Sequence, residues 1–365
     1  MKRQANIELL RIVVMLMIIG SHLSLHGVQA DWNVWSAGNM TNQLFTSFLR
    51  PGGGIGVAVF FMITGYFSVY KDKISVKRTI RVTTFYGFFC GMIGILQIVK
   101  EGFSIDSIKN ILRCFLSPVM GGCWWFVTAY VLLALISTTV NKYLMKIDSA
   151  ELLLVIVAFW FFEYTVGNVT TNQYFQIQRA LMFYLIGAYL RKRGTLLGKK
   201  ICCTGFTLTY CLNVIAQYLS DTAIAGGKNG ITNEIVVLGS SCLINSIFVI
   251  IEAACLFELF LQINIASEKI VTIGRSVFGI YLLHDSPFTR NIIWHDIVKI
   301  ENLYVMKIYP ILALLVIVCV FLSCYIFEKI RYVYVEKPME RVFYKGHLHI
   351  RCFVNNIREK RNNRI

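Results

Sequence analysis

Two ionisable residues, Arg11 and His22, lie within one apolar segment, LLRIVVMLMIIGSHLSLHG, at residues 9–27. At about 100° per residue, they fall within roughly 20° of each other on one face of a helix. Charged groups at membrane depth are costly, face protein or water rather than lipid, and often carry a function. An imidazole, with an unperturbed pKa of about 6.5, suits the removal of a proton from a hydroxyl group. The pattern predicts a helix that brings something anionic to a histidine.

A second pair of basic residues, Arg78 and Arg81, stands at the start of another apolar segment. Side chains at this spacing share one face of a helix, and two forked guanidinium groups suit the phosphate oxygens of a single ligand. The same pair could instead only orient the protein in a membrane, because Lys71, Lys73 and Lys77 lie in the same loop. Either interpretation places Arg78 and Arg81 on the cytosolic side.

The composition of the chain predicts a membrane protein. Of its 365 residues, 56% are hydrophobic and 15% are charged, and the mean hydropathy is +0.61. These values are too apolar for an ordinary globular enzyme. A membrane-spanning helix needs about 17 to 25 mostly apolar residues. We therefore predict an all-α bundle of about ten transmembrane helices, near residues 9–27, 53–70, 82–99, 124–141, 152–167, 179–190, 201–219, 233–262, 271–288 and 307–328.

The distribution of basic residues predicts the topology. The formal net charge of +16 could suggest nucleic acid as a partner, but 27 of the 36 Lys and Arg residues fall on one side if the N-terminus is cytosolic. This asymmetry follows the positive-inside rule, and an even number of spans then places both termini in the cytosol. We interpret the basic excess as a topology signal, with no nucleic acid partner, in a multi-pass protein of the cell (cytoplasmic) membrane.

Six motifs follow one another along the chain. They are Arg11-x10-His22, GVAVFFMITGYF at 56–67, Arg78-Thr79-Ile80-Arg81, WWFVTAYVLLALIS at 124–137, FGIYLLHDS at 278–286 and VYVEKPMER at 333–341. In type, order and spacing they resemble the motifs of the acyltransferase 3 family, the membrane-bound bacterial glycan O-acyltransferases. The resemblance implies an acyltransferase-3-like transmembrane domain over residues 1–344, followed by a basic cytosolic tail over residues 345–365.

The resemblance also implies a reaction and its substrates. An acyl group, most simply acetyl, would pass from cytosolic acyl-CoA to a hydroxyl of a cell-surface or lipid-linked glycan. Acyl-CoA would be a co-substrate, and no cofactor would stay bound. The expected partners are a glycan or glycolipid acceptor, acyl-CoA, the lipid bilayer and proteins of polysaccharide synthesis. About 27 residues follow Pro338, so we expect no appended SGNH-type domain.

The same resemblance assigns roles to the ionisable residues. His22 and Arg11 would be catalytic, and Arg78 and Arg81 would bind the phosphates of acyl-CoA. His22 could take the proton of the glycan hydroxyl, or it could carry the acyl group as an acyl-histidine, and the sequence leaves both mechanisms open. Arg11 could also stabilise an oxyanion.

Further substrate or oxyanion contacts are predicted at Gly53, Thr64, Trp125, Arg179, His284 and Glu336. A backbone amide near Gly53 or the Thr64 hydroxyl could stabilise an oxyanion. Arg179 lies on the extracytoplasmic side of the predicted topology, against the general distribution of charge. Trp125 could instead belong to an interfacial aromatic belt. Glu336 could brace the last helix by pairing with an arginine of the R-x-x-R motif.

A metal site is not predicted. His22 and His26 are four residues apart, a spacing at which two imidazoles of one helix can ligate a metal ion. No acidic or cysteine partner accompanies them at a suitable spacing.

The alternative function is a transporter or flippase for a glycolipid or an organic anion. Arg11, His22 and Arg179 would then line its path, because a transport path also accounts for charges inside the membrane. The chain shows no paired hydropathy repeats of the kind common in transporters. Consumption of acyl-CoA by the purified protein would separate the two functions.

Overall fold

The computed structural model describes residues 3–117, 123–167, 176–195, 197–227 and 246–339. In these ranges every regular element is a helix, which confirms the predicted all-α class. The longer helices are α1 (Ala5–His22), α4 (Gly52–Ser68), α5 (Lys77–Glu101), α7 (Trp125–Leu144), α8 (Ser149–Gly167), α9 (Gln176–Arg193), α10 (Lys199–Ala225), α11 (Ile247–Leu261), α12 (Glu268–His284) and α15 (Tyr309–Arg331). The shorter helices are α2 (Trp32–Ala37), α3 (Met40–Leu49), α6 (Ile105–Phe115), α13 (Pro287–Asn291) and α14 (Ile300–Tyr304). Segments of π-helix lie at Leu23–Gly27, Ile292–Ile297 and Tyr332–Glu336, and a 3-10 turn lies at Val28–Ala30.

Five helical stretches of the described chain are long and apolar enough to cross a membrane: Ala5–Ala30, Met40–Ser68, Lys77–Lys100, Trp125–Leu144 and Tyr309–Met339. Each of the predicted spans overlaps one of the longer helices, although residues 233–245 of the eighth span lie outside the described ranges. The number of crossings and the cytosolic position of both termini stay predictions. The predicted tail over residues 345–365 also lies outside the described ranges.

Reporter fusions test the predicted topology. A reporter fused after Asp31 should be external, and one fused after Ile365 should be cytosolic, because basic residues are concentrated on the cytosolic side of the predicted topology. A fusion after Lys73, in the basic loop between α4 and α5, is the cytosolic control. An external reporter after Ile365 would mean that the predicted set contains one span too many or too few.

Helix α1 lies inside the bundle. It contacts α4, α11, α12 and α15, and Leu10, Val14 and Ile19 along it are fully buried. A helix that is apolar on most sides is stable when it is surrounded by other helices or lipid. The ionisable residues of α1 therefore lie within the protein, where neighbouring helices can supply partners.

Close contact between α1 and α4 depends on glycine. A Cβ atom at Gly52 would lie 2.7 Å from the carbonyl oxygen of Met17, and one at Gly56 would lie 3.0 Å from the carbonyl oxygen of Val14. Because glycine has no side chain, the backbones of the two helices can approach this closely. The start of α4 is thereby held against the end of α1 that carries His22.

Helix α4 meets α9 in the same way, and this contact supports a stability prediction. A Cβ atom at Gly65 would overlap the backbone carbonyl of Tyr184. Gly65→Ala should therefore lower the free energy of unfolding by about 1 to 3 kcal/mol, since the two helices must separate. Thermal unfolding of the purified protein measures the change. Gly198→Ala is the control, because a Cβ there meets nothing within 4 Å. Equal melting temperatures for the two variants would contradict the prediction.

Candidate active site

A cavity of about 530 Å³ lies between α1, α4, α7 and α12. Its lining is strongly basic, and Asp285 is the one carboxylate among the described residues that line it. The basic side chains belong to six arginines: Arg3, Arg11, Arg50, Arg78, Arg179 and Arg275. A cleft lined by one sign of charge concentrates ligands of the opposite sign. The cavity is therefore suited to an anionic ligand.

Most of the predicted site residues line this cavity. They are Arg11, His22, Gly53, Thr64, Arg78, Trp125 and Arg179. Arg81, His284 and Glu336 do not line it. Arg11 and His22 share a wall of the cavity, in keeping with their common face on α1. These predicted residues come from five helices, α1, α4, α5, α7 and α9, which the fold brings to one space.

A second cavity, of about 370 Å³, adjoins the first at Arg11. Both cavities are lined by Arg11, Thr64 and Tyr130, and the second extends to Lys71 and Lys73 in the loop between α4 and α5. This loop is cytosolic in the predicted topology. The two cavities together extend from the basic loop, past Arg11, to His22.

Glu8 holds two of the arginines at the cavity wall. Its Oε1 atom accepts a hydrogen bond of 2.8 Å from Arg3 Nη1 and lies 3.8 Å from Arg11 Nη1. Glu8 is buried, and the absence of a side chain at Gly274 on α12 leaves room for its carboxylate. Arg11 therefore has two roles: it pairs with Glu8 and it lines the cavity. The two roles are compatible, because the pair fixes where the guanidinium lies.

A group of ionisable side chains surrounds His22 at the end of α1. His22 Nδ1 lies 3.0 Å from His284 Nε2 and 3.5 Å from Asp285 Oδ1. The same carboxylate oxygen lies 3.8 Å from His26 Nε2 and accepts a hydrogen bond of 2.7 Å from Arg290 Nη2. His22 is therefore held on its Nδ1 side, while its ring lines the cavity.

Local structure explains how these groups meet. The helical path of α1 continues as a π-helical segment, so His26 follows His22 on the same side, with ring centroids 5.1 Å apart. Helix α12 packs against α1 and ends at His284. Asp285 then separates α12 from α13, whose first turn is capped by the Ser286 hydroxyl. The end of α12 and the turn that follows it thus bring His284 and the Asp285 carboxylate to His22.

Sequence reasoning missed Asp285, Arg290 and Arg50 as members of the site. Asp285 belongs to the FGIYLLHDS motif, directly after His284. Arg50 and Arg290 are basic residues on the extracytoplasmic side of the predicted topology, where few are expected. For Arg50 and Arg290, their position on the side where few basic residues are expected was the signal that the sequence offered.

The structure supplies the acidic neighbour that the histidine spacing lacked. One donor atom from each of His22, His26 and Asp285 lies within 4.8 Å of the others, a spacing that could hold a metal ion. However, the guanidinium of Arg290 already binds the Asp285 carboxylate, and its positive charge opposes a cation at the same oxygen. The Arg290 guanidinium therefore disfavours a metal ion at this group of side chains.

The two arginines of the R-x-x-R motif have different surroundings. Arg78 lines the cavity, and its side chain is 44% exposed. Arg81 Nη2 donates a hydrogen bond of 2.6 Å to Glu336 Oε1, a carboxylate that also binds Arg331 and is almost fully buried. Arg78 lies 3.6 Å from the same oxygen. Arg78 thus faces the space where a ligand would lie, whereas Arg81 ties α5 to the segment after α15.

The remaining predicted residues line the cavity in distinct ways. The Thr64 hydroxyl donates to the Phe60 carbonyl oxygen at 2.9 Å within α4. Trp125 lines the cavity from the first turn of α7, and Arg179 does so from the first turn of α9. The Trp125 ring therefore faces the interior of the bundle, where it could contact a substrate as well as neighbouring apolar groups.

These observations define the class of protein: a helical membrane protein with a basic internal cavity and a histidine on its wall. The model of the acyltransferase 3 family, described as an acyltransferase domain, matches residues 4–329. The chain therefore belongs to the acyltransferase 3 family, as its motifs indicated, and is a membrane acyltransferase. Comparison with the curated proteins found no match, and comparison with the solved structures found none.

Proposed function

We propose that this protein transfers an acyl group from cytosolic acyl-CoA to a hydroxyl of a cell-surface or lipid-linked glycan, at the cytoplasmic membrane. The observation that carries the proposal is the pair of adjoining cavities, which begins at a basic loop and reaches His22. A donor with phosphates at one end and a thioester at the other fits such a path. Family membership supports the transfer of an acyl group.

The acyl donor would bind at the basic end of the two adjoining cavities. Acyl-CoA carries a 3'-phosphate and a pyrophosphate, and guanidinium groups bind such oxygens through charge-assisted hydrogen bonds. Arg78 lines the main cavity, and Lys71 and Lys73 line the adjoining one. Arg11 and His22 are separated by about 16 Å along α1, at 1.5 Å per residue. The flexible arm of the donor would bridge this distance and carry the thioester to His22.

The acyl transfer would take place at His22, at the other end of the two cavities. An unprotonated ring nitrogen takes the proton of the glycan hydroxyl while the hydroxyl oxygen attacks the thioester carbonyl. The tetrahedral intermediate then collapses, the carbon–sulfur bond breaks, and the imidazolium returns the proton to the leaving thiolate. Arg11 lies about 16 Å from His22 along α1, and the Thr64 hydroxyl already donates to the Phe60 carbonyl oxygen. Arg50, which lines the cavity and contacts Ser21 beside His22, is therefore the better candidate to stabilise the oxyanion. The acyl-histidine route uses the same nitrogen as a nucleophile, and the burst of thiol release expected from it would separate the two routes.

The test is the fate of labelled acetyl-CoA with the full-length protein in nanodiscs, in the presence and absence of a membrane glycolipid extract. We expect free CoA to appear and the label to move to the glycolipid fraction. Protein carrying His22→Gln, prepared in the same way, is the control. Movement of a fluorescent glycolipid across the bilayer with the thioester intact would instead support the transporter or flippase.

A further inference from the structure

The hydrogen bonds around His284 determine where its hydrogen lies. His284 Nδ1 lies 2.7 Å from the backbone carbonyl oxygen of Ile280. A carbonyl oxygen can only accept a hydrogen bond, so Nδ1 must carry the hydrogen. His284 is fully buried, and a second hydrogen on its ring would place a charge there at a large desolvation cost. Its Nε2 atom is therefore an acceptor.

The same logic extends to His22. His22 Nδ1 lies 3.0 Å from His284 Nε2. Because His284 Nε2 accepts, His22 Nδ1 must be the donor and carry the hydrogen of the neutral ring. We infer that His284 is a positioning residue that holds His22 in the tautomer whose Nε2 is free to take a proton, an inference that rests on the proposed function for its chemical meaning. Through His284, the Ile280 carbonyl oxygen thus determines which nitrogen of the His22 ring carries the hydrogen.

Other neighbours of His22 do not replace this contact. Asp285 Oδ1 lies 3.5 Å from His22 Nδ1, beyond a normal hydrogen bond, and is already bound by Arg290 at 2.7 Å. The hydroxyl of the adjacent Ser21 donates to the Arg50 carbonyl oxygen instead. Without an acceptor at Nδ1, the neutral ring would distribute between both tautomers.

The proton balance of the step is simple. The hydroxyl proton moves to His22 Nε2, while the hydrogen on Nδ1 stays on the bond to His284. The resulting imidazolium faces the Asp285 carboxylate, which favours the positive charge. Among the described residues, the other ionisable groups near His22 are His26, His284, Arg50 and Arg290. Arg290 and Arg50 oppose the charge, so it is short-lived and returns its proton to the leaving group.

Two substitutions at one position test the inference. In His284→Gln the amide oxygen can reach the place of Nε2 and accept from His22, whereas His284→Leu has a similar volume and no acceptor. We expect His284→Gln to keep turnover within about tenfold of the wild type and His284→Leu to lose about 100-fold or more, as when a general base fails. Acyl-CoA affinity should be the same in both variants. Equal turnover in the two variants, whether high or low, would overturn the inference.

A second measurement needs neither a variant of His284 nor a substrate. Nitrogen NMR of the wild-type protein, labelled with 15N in its six histidine rings and held in nanodiscs at neutral pH, reports which nitrogens carry hydrogen. The His22 signals are those lost in His22→Gln. We expect hydrogen on Nδ1 of both His22 and His284, and hydrogen on Nε2 of His22 would overturn the inference. If the wild-type protein fails to transfer an acyl group, the proposed function fails, whereas this NMR result still decides the tautomer.

Discussion

His22→Gln should abolish transfer of the acyl group to the glycan while acyl-CoA still binds. Glutamine keeps a polar group of similar reach, but it cannot take up and return a proton at neutral pH, so turnover should fall by about 100-fold to 10,000-fold. Donor affinity should persist, because His22 lies about 16 Å along α1 from Arg11 and the basic end of the cavity. The measurements are acyl transfer normalised to protein in the membrane and acyl-CoA binding by the same preparation.

His26→Gln is the matched control for this prediction. His26 lies four residues further along the chain, near the same Asp285 oxygen at 3.8 Å, but it does not line the cavity. We expect this variant to keep substantial activity. Near-normal turnover in His22→Gln would exclude both the general-base and the acyl-histidine mechanisms and leave His22 with a packing role.

The second large effect separates the two arginines of the R-x-x-R motif. Arg78→Ala should weaken acyl-CoA binding by about 1.5 kcal/mol, roughly tenfold, because a partly exposed charge-assisted contact is lost. Stability should change little. Arg81→Ala should instead lower the free energy of unfolding by about 1 to 3 kcal/mol, since the buried Glu336 carboxylate loses a partner. Binding of labelled acyl-CoA and thermal unfolding measure the two effects.

Each arginine has a matched comparison. Lys77→Ala removes a neighbouring charge that lines neither cavity, so donor affinity should be close to that of the wild type. Glu336→Gln, combined with Arg81→Ala, should cost less stability than the sum of the two single changes, because the two side chains contact each other. If Arg81→Ala weakened donor binding as much as Arg78→Ala and left stability unchanged, both arginines would be donor contacts, as the sequence alone suggested.

The placement of the arginines also bears on the donor site. From the spacing in the sequence, Arg78 and Arg81 were expected to bind one ligand together. In the structure their partners differ, because Glu336 lies 255 residues beyond Arg81 in sequence and packs beside it only in the folded bundle. A carboxylate beside Arg78 at 3.6 Å would compete with a phosphate for that guanidinium. A donor with several anionic groups, such as the acyl-CoA that we propose, would compete better with this carboxylate than a donor with one.

The sequence by itself determined the class of the protein and one face of its site. A chain with so many long apolar segments is suited to a membrane, where helices satisfy their own backbone hydrogen bonds, so the sequence favours the all-α class. The common face of Arg11 and His22 follows from the helical repeat, which is local and needs no knowledge of other helices. The charge distribution, in turn, predicts the topology but not the partners of any single charge.

Only the tertiary structure decided which groups surround His22. His284 and its neighbour Asp285 lie more than 260 residues away in the chain, and they reach His22 because α12 packs against α1. Helix packing depends on the shapes of whole surfaces, such as the room that Gly274 leaves for Glu8. No periodicity within one segment encodes such a contact. The direction of the hydrogen bond from His22 to His284, and with it the basic nitrogen of the site, is therefore a property of the folded protein alone.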